Sequence, residues 1–183
     1  MAGFLGLGRR NPHERSGFQL YNTAVAAARD PFPYVTHGVP DTLDGRFDLV
    51  GLHAFLLIQR LKQEPEPGPA LAQSVFDAMF SDMDINLREL GVSDMSIGRR
   101  VRAMWEAFHG RAKVYADALA ANDMAALEDA LARNIWRGTE PPAGAPQALR
   151  RIVMNQIAHL ATQALPTLAK GEATFLPTVE AAR

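Results

Sequence analysis

The feature of this sequence that most restricts its fold is a run of apolar residues with helical spacing between positions 97 and 119. Apolar side chains recur there every three or four residues, at Ile97, Val101, Met104, Trp105, Phe108, Ala112, Tyr115 and Leu119. This spacing is typical of a long helix that buries one face, with Glu106, Lys113 and Asp117 on the opposite face. No stretch of the sequence alternates apolar and polar residues as a half-buried strand does. The sequence therefore predicts an all-α protein.

Apolar periodicity, together with the positions of proline and glycine, predicts five further helices. Their expected bounds are 17–29, 46–62, 70–90, 123–136 and 146–169. In the helix at 46–62 apolar side chains point nearly all the way round, which indicates a helix buried at the centre of the core. The predicted fold is a single-domain bundle of about six helices around this central helix.

The regions between and beyond these helices are predicted to be irregular. Residues 31–45 are expected to form a loop, residues 1–16 a flexible N-terminal tail and residues 171–183 a flexible C-terminal tail, which leaves 17–170 as the helical domain. Pro166 is expected to kink or end the last helix, because its ring removes a backbone donor. The segment before that helix has linker composition, but the apolar stripe of the helix favours docking onto the bundle.

Composition excludes several classes of function. The chain has 183 residues, a formal net charge of −1 and no cysteine. The charge points away from a general DNA-binding protein, and the lack of cysteine removes thiol nucleophiles, thiolate metal sites and disulfides. The longest largely apolar run, 49–58, is shorter than the roughly 20 residues that a membrane helix needs, so no transmembrane segment is expected.

An acidic cluster in the helix at 70–90 invites interpretation as a metal site. Asp77, Asp82, Asp84 and Glu89 are ligands of the kind that hard cations prefer. On one helix, however, Asp77 and Asp84 lie on a different flank from Asp82 and Glu89, so the four cannot converge. We favour a solvated surface in which Asp84 pairs with the arginine four residues later.

No catalytic motif is evident. The five histidines lack the spacing of zinc ligands, and neither a phosphate-binding loop nor a nucleophile elbow is present. His53 stands on the apolar helix at 46–62, where a core histidine bonded to a neighbour is favoured over a ligand. We predict no catalytic site, metal or cofactor. The alternative is an enzyme that uses the aspartates and His53 with a metal.

The helix with the long apolar stripe is locally basic. Arg100 and Arg111 are expected beside the stripe, while Arg99, Arg102 and Lys113 are expected to face outward. A solvated face is the favoured interpretation. Contact with ribosomal RNA, an acidic lipid or an acidic peptide is the alternative.

Three blocks of sequence carry a resemblance to a known family. They are residues 38–49 (GVPDTLDGRFDL), residues 80–92 (FSDMDINLRELGV) and residues 108–111 (FHGR). With these blocks, residues 37–137 resemble the ubiquinol-cytochrome c chaperone family, the assembly factors for cytochrome b of respiratory complex III. None of the blocks is a catalytic signature, but their order and spacing make the combination fairly specific.

The resemblance implies a helical chaperone rather than an enzyme. Its partner would be nascent or newly inserted cytochrome b, met near the ribosome or the inner-membrane surface. The chain begins without a long basic presequence, which favours a bacterial, cytoplasmic member, peripheral to the inner membrane, over one on the matrix side of a mitochondrial membrane. A helical scaffold that binds ribosomes or a membrane surface for another purpose is the alternative function.

The resemblance also places candidate partner-binding residues. The polar family positions here are Asp41, Arg46, His53, Asp82, Asp84, Arg88, Glu89 and Arg111. Arg99 and Arg100 join this set from the basic helix. His109 departs from the family pattern, which has tyrosine at that position, and so leaves open whether an aromatic contact is made there.

Overall fold

The structure is a computed structural model that describes residues 12–183. This part of the chain contains helices and no strand, which confirms the all-α prediction. Residues 1–11 of the expected N-terminal tail lie outside the described residues, and the first helix already begins within that tail. The helices are α1 Glu14–Ala28, α2 Phe32–His37, α3 Leu43–Lys62, α4 Gly68–Glu89, α5 Asp94–Ala120, α6 Met124–Ile135, α7 Ala145–Ala161, α8 Leu165–Ala169 and α9 Thr178–Ala181.

All six predicted helices are present, as α1 and α3 to α7, and three short helices are added to them. Helix α2 has six residues and lies within 31–45, where a loop was expected. Pro31 and Pro33 suit a helix start, because the first turn needs no N–H donor, and Gly38 ends the helix with φ 62°. Helices α8 and α9 have five and four residues, too few to give a periodic apolar stripe.

The central helix is α3, as the sequence predicts. From Leu49 to Leu61 nearly every side chain is buried, and α3 packs against α1, α4, α5, α6 and α7. Its start is capped by the Thr42 hydroxyl, which accepts a hydrogen bond from the Gly45 N–H at 3.1 Å. A Cβ at Gly45 would lie 2.0 Å from the carbonyl oxygen of Pro40, so glycine lets the incoming loop cross close to the first turn of α3.

Helix α7 is docked on the bundle, as its apolar stripe predicts. Arg60 of α3 donates to the carbonyl oxygens of Leu160 and Gln163 at 3.1 and 2.9 Å, which satisfies acceptors left free at the end of α7. The helix predicted at 146–169 is divided, because α7 ends at Ala161 and Pro166 lies in the first turn of the separate helix α8.

The expected flexible C-terminal tail instead packs on the bundle. Residues 172–177, here called the C-terminal strap, are extended and lie along α7. Gln156 accepts from the Leu176 N–H at 2.9 Å and donates to the Leu176 carbonyl at 2.8 Å. Gln163 makes the same pair of bonds with Thr174, at 2.9 and 2.8 Å. The two glutamine side chains thus bond backbone N–H and C=O groups of the strap, which in a β-sheet would bond to a neighbouring strand.

Helix α9 follows the strap and is also held to the bundle. The Thr178 N–H donates to Asp30 at 3.1 Å, and Asn155 of α7 donates to the Ala181 carbonyl at 2.9 Å. Thr178 and Ala181 are buried. Residues 171–183 thus form part of the packed structure, because hydrogen bonds to Asp30 and to side chains on and just after α7 compensate for their weak apolar pattern.

We expect Gln156→Ala to lower the free energy of unfolding by about 2 kcal/mol, because it leaves both backbone groups of Leu176 without partners. Urea denaturation followed by circular dichroism measures this change. Gln73→Ala, at an exposed glutamine on α4, is the matched control and should stay within about 0.5 kcal/mol of the unchanged protein. Equal effects of the two substitutions would show that the strap does not stabilise the fold.

Candidate functional site

A groove with a volume of about 1070 Å³ opens between helices α1 to α5. Most of its lining is apolar and includes Val25, Tyr34, Leu43, Phe47, Val50, Met83, Leu90 and Met104. Leu43 and Leu90 are 62% and 60% exposed. Because contiguous exposed apolar surface is uncommon on monomeric proteins unless it is used for contact, the groove is the candidate functional site.

Six of the ten residues proposed from the sequence line this groove. They are Asp41, Arg46, Asp82, Glu89, Arg100 and Arg111. The remaining four lie outside it and are His53, Asp84, Arg88 and Arg99. The family blocks 38–49 and 80–92 therefore meet across the groove, although they are far apart in the sequence.

A buried carboxylate, Asp48, pairs with two arginines of the groove lining. The side chain of Asp48 on α3 is fully buried, while those of Arg111 and Arg137 are 19% and 38% exposed. Asp48 accepts hydrogen bonds from Arg111 of α5 and from Arg137, whose Nη2 lies 2.7 Å from Asp48 Oδ1. Arg137 also lies 3.2 Å from Asp44. One carboxylate thus orients two arginines that line the groove.

Sequence reasoning proposed Arg111 but missed both Asp48 and Arg137. Asp48 carries a usable signal, because an acid on an otherwise apolar central helix needs a cationic partner once it is buried. The sequence around Arg137 contains no comparable signal. This arginine follows α6 in a left-handed conformation with φ 46°, and apolar periodicity does not predict where such a side chain points.

Asp82 is held in one wall of the groove by a tyrosine. The Tyr21 hydroxyl donates to Asp82 Oδ2 at 2.7 Å, which joins α1 to α4. Burial, and then the hydrogen bond to Asp82 and its charge, raise the pKa of Tyr21 far above its ordinary value, so the hydroxyl keeps its proton and remains a donor.

Arg88 pairs with Asp84, as the four-residue spacing predicts, through a 2.7 Å contact. It also contacts Asp94 at the start of α5, at 2.6 Å. Between them Gly91 turns the chain with φ 76°, a conformation that glycine adopts without steric cost. This exposed cluster lies outside the groove and connects the end of α4 to the start of α5.

His53 is a core histidine bonded to a neighbour, which agrees with the favoured interpretation. Its Nδ1 lies 2.8 Å from the carbonyl oxygen of Leu49, and its ring meets the edge of Phe175 in the C-terminal strap with centroids 5.1 Å apart. Burial lowers the pKa of His53 below its ordinary value, although the Leu49 carbonyl and the charge of Asp30 act in the opposite direction.

The outward face of α5 is more neutral than its sequence suggests. Arg102 pairs with Glu106 at 3.0 Å, and Lys113 pairs with Asp117 at 2.5 Å. Arg99 is exposed and forms no ion pair within residues 12–183.

His109, on the same helix, lies against another aromatic ring. The ring centroids of His109 and Trp105 are 3.8 Å apart, and the His109 ring also meets Phe76 edge-on at 5.2 Å. His109 therefore makes an aromatic contact with Trp105 in which the two ring planes are tilted by 32°.

Two kinds of site are absent from the described part of the chain. Residues 12–183 contain no group of three or more histidine, aspartate or glutamate residues placed to hold a metal ion. None of the helices in this range is long and apolar enough to cross a membrane.

The fold and the groove define a class, an all-α bundle with a wide apolar groove rimmed by charges. The chain belongs to the ubiquinol-cytochrome C chaperone family, because the model of that family matches residues 35–175. This match covers all three sequence blocks and extends into the C-terminal strap, and it confirms the resemblance seen in the sequence.

Individual relatives agree with this assignment. The ubiquinol-cytochrome-c reductase complex assembly factor 1 of Xenopus laevis is 26% identical over 143 residues, which cover 78% of this chain and 71% of the relative. The crystal structure of the Cbp3 homolog from Brucella abortus matches with a TM-score of 0.81 and 36% identity, covering 92% of each chain. The protein is thus a member of a family of complex III assembly chaperones.

We expect Asp48→Asn to lower the free energy of unfolding by about 2–3 kcal/mol, because it leaves Arg111 without a counter-charge and Arg137 with only the exposed Asp44. Asp44→Asn is the matched control. Asp44 also contacts Arg137 but is 71% exposed, so its loss should cost less than about 1 kcal/mol. Chemical denaturation of both variants measures the difference, and an Asp48 variant as stable as the Asp44 variant would contradict a structural role for the buried pair.

We expect His53 to make stability depend on pH on the acid side. Its native pKa lies below the ordinary value of 6.5, so under mildly acidic conditions the unfolded chain binds a proton that the native chain does not. The free energy of unfolding should therefore fall as the pH drops below that value, and fall less steeply in His53→Gln. Denaturation at several pH values checks this, with His109→Gln, at an exposed histidine, as the control. Identical slopes in the wild type and His53→Gln would contradict it.

Proposed function

We propose that this protein binds newly made cytochrome b and supports the biogenesis of the cytochrome bc1 complex, which is complex III. Membership of the chaperone family supports the general role in complex III assembly. The single observation that carries the finer proposal is the groove, where residues of the family blocks 38–49 and 80–92 surround an apolar surface.

The chemistry of the groove suits a client with apolar segments. A protein destined for the membrane contains runs of roughly 20 apolar residues, which are prone to aggregate before insertion. Apolar side chains such as Leu43 and Leu90 offer a surface against which such a segment removes its own area from water. Charges at the rim, such as the Asp41–Arg46 pair at 2.6 Å, flank this surface and limit the register in which a client fits.

The same proposal sets where the protein works. Cytochrome b would be met as it leaves the ribosome and enters the membrane, so we place the protein in the cytoplasm beside the inner membrane, or on the matrix side if the source is eukaryotic. Contact with the ribosome or with the membrane surface belongs to this proposal. The role is binding, without a catalysed reaction.

The competing function, a scaffold that holds ribosomes or a membrane through the basic face of α5, has less support. Arg102 and Lys113 each have an acidic partner one turn away, which weakens the positive potential that such a face would need. Arg99 alone of these three lacks an ion pair within residues 12–183.

Deletion of the gene should lower the amount of assembled complex III while the cytochrome b transcript stays at its normal level. Native gels and quantitative PCR measure the two quantities. Normal complex III in the deletion strain would falsify the proposal.

Complementation of that strain separates the two functions. A variant with Arg99, Arg102 and Lys113 each changed to Glu should restore complex III if the groove is the working surface. If it fails to restore complex III although it folds normally, the outward face of α5 is the working surface.

A further inference from the structure

Most charged side chains that line the groove already have a partner within the chain. The pairs are Asp41 with Arg46, Asp44 with Arg137, Arg111 with Asp48, and Asp82 with the Tyr21 hydroxyl. Within residues 12–183, three lining charges form neither an ion pair nor a side-chain hydrogen bond, and these are Arg29, Glu89 and Arg100. Arg29 and Arg100 are therefore two cations without a partner in the described part of the chain, and Glu89 is an anion without one there, while Asp82 keeps its negative charge because its partner, the Tyr21 hydroxyl, is uncharged.

Each unpaired arginine lies close to apolar residues of the groove. Arg29 ends α1 one turn after Val25, and Arg100 lies one turn before Met104 on α5. Because residues four apart on a helix share a face, a ligand that covers Val25 and Met104 also covers both guanidinium groups. Glu89 is the last residue of α4.

Covering these arginines changes what can bind. A wholly apolar segment would strip water from Arg29 and Arg100 and give nothing in return, which is unfavourable for a charged group. A segment with carboxylates at matching positions restores the lost interactions as ion pairs in a partly desolvated setting, where they are stronger than in water.

The size of the groove points to a polypeptide. Its volume of about 1070 Å³ lies just above the roughly 300–1000 Å³ typical of small-molecule pockets, and residues of five helices line it. Binding of a helix in a groove between helices is a common mode of peptide recognition.

We propose that the groove binds an apolar helical segment of the client that carries acidic residues, whose carboxylates pair with Arg29 and Arg100. This inference rests on the proposed function and deepens it by naming the chemistry of the bound segment. Arg29 and Arg100 are then determinants of specificity, while the apolar lining supplies most of the contact area.

Photo-crosslinking tests the pairing directly. A benzoylphenylalanine in place of Leu90, an exposed lining residue, reports occupancy when the full chain is present during ribosomal synthesis of radiolabelled cytochrome b. The further change of Arg29→Glu and Arg100→Glu should lower the crosslink yield at least about tenfold, because it replaces attraction by repulsion. Arg100→Lys keeps the charge and should retain most of the yield.

Controls separate charge at the groove from charge in general. Arg15→Glu, on the exposed side of α1 away from the groove, should leave the yield unchanged. The milder pair Arg29→Gln and Arg100→Gln guards against misfolding of the reversal variant, and it should still lower the yield and weaken its dependence on salt. A yield within twofold of the parent in both double variants would overturn the inference.

Two further outcomes are distinguishable. If the parent protein does not crosslink to cytochrome b at all, the proposed function fails. If it crosslinks and both double variants do so equally, only the acidic character of the segment fails. Vesicles of phosphatidylethanolamine and phosphatidylglycerol, offered without translation, test a lipid. A crosslink to phosphatidylglycerol that is lost in the double variants would assign the arginines to lipid phosphates and overturn the inference.

Discussion

The buried contact of Asp48 with Arg111 and Arg137 joins three parts of the chain that are distant in sequence. Asp48 lies on the central helix α3, Arg111 on α5 and Arg137 after α6. A carboxylate with no exposed surface is tolerated only while its cations stay in place, so α3, α5 and the end of α6 must keep their mutual positions. The contact therefore fixes α5, which lines one side of the groove, relative to the central helix α3.

This constraint matters because α5 gives only part of one face to the core. Of its 27 residues, Ile97, Phe108, Tyr115 and Ala118 are buried, and side chains such as Met104 are half-buried against the core. The rest of the helix is more exposed, and one flank of α5 lines the groove. At its start α5 is connected to α4 through the exposed pair of Arg88 with Asp94, which water screens more strongly than the Asp48 contact.

The sequence predicts the parts of the fold that repeat, and it misses the parts that single contacts determine. Long helices such as α3 and α5 leave a periodic stripe of apolar residues, and their presence and order follow from it, although Trp105 in the α5 stripe is 44% exposed. The strap at 172–177 has no such stripe, and hydrogen bonds from Gln156 of α7 and from Gln163 after it hold the strap instead. Short helices such as α2 depend on proline at their start and glycine at their end. The same residues are typical of loops, so the sequence around α2 predicts a loop.

The same distinction explains the outcome for the candidate site. The family blocks identified residues that meet at the groove, yet sequence position did not separate those that hold the structure from those that remain available. Arg111 is bonded to Asp48, and Asp82 to Tyr21, whereas Arg100 has no partner in the described chain. Only the folded structure shows which of these charged side chains already have a partner. Since paired charges contribute little new attraction to a ligand, the residues left unpaired determine what the apolar groove selects.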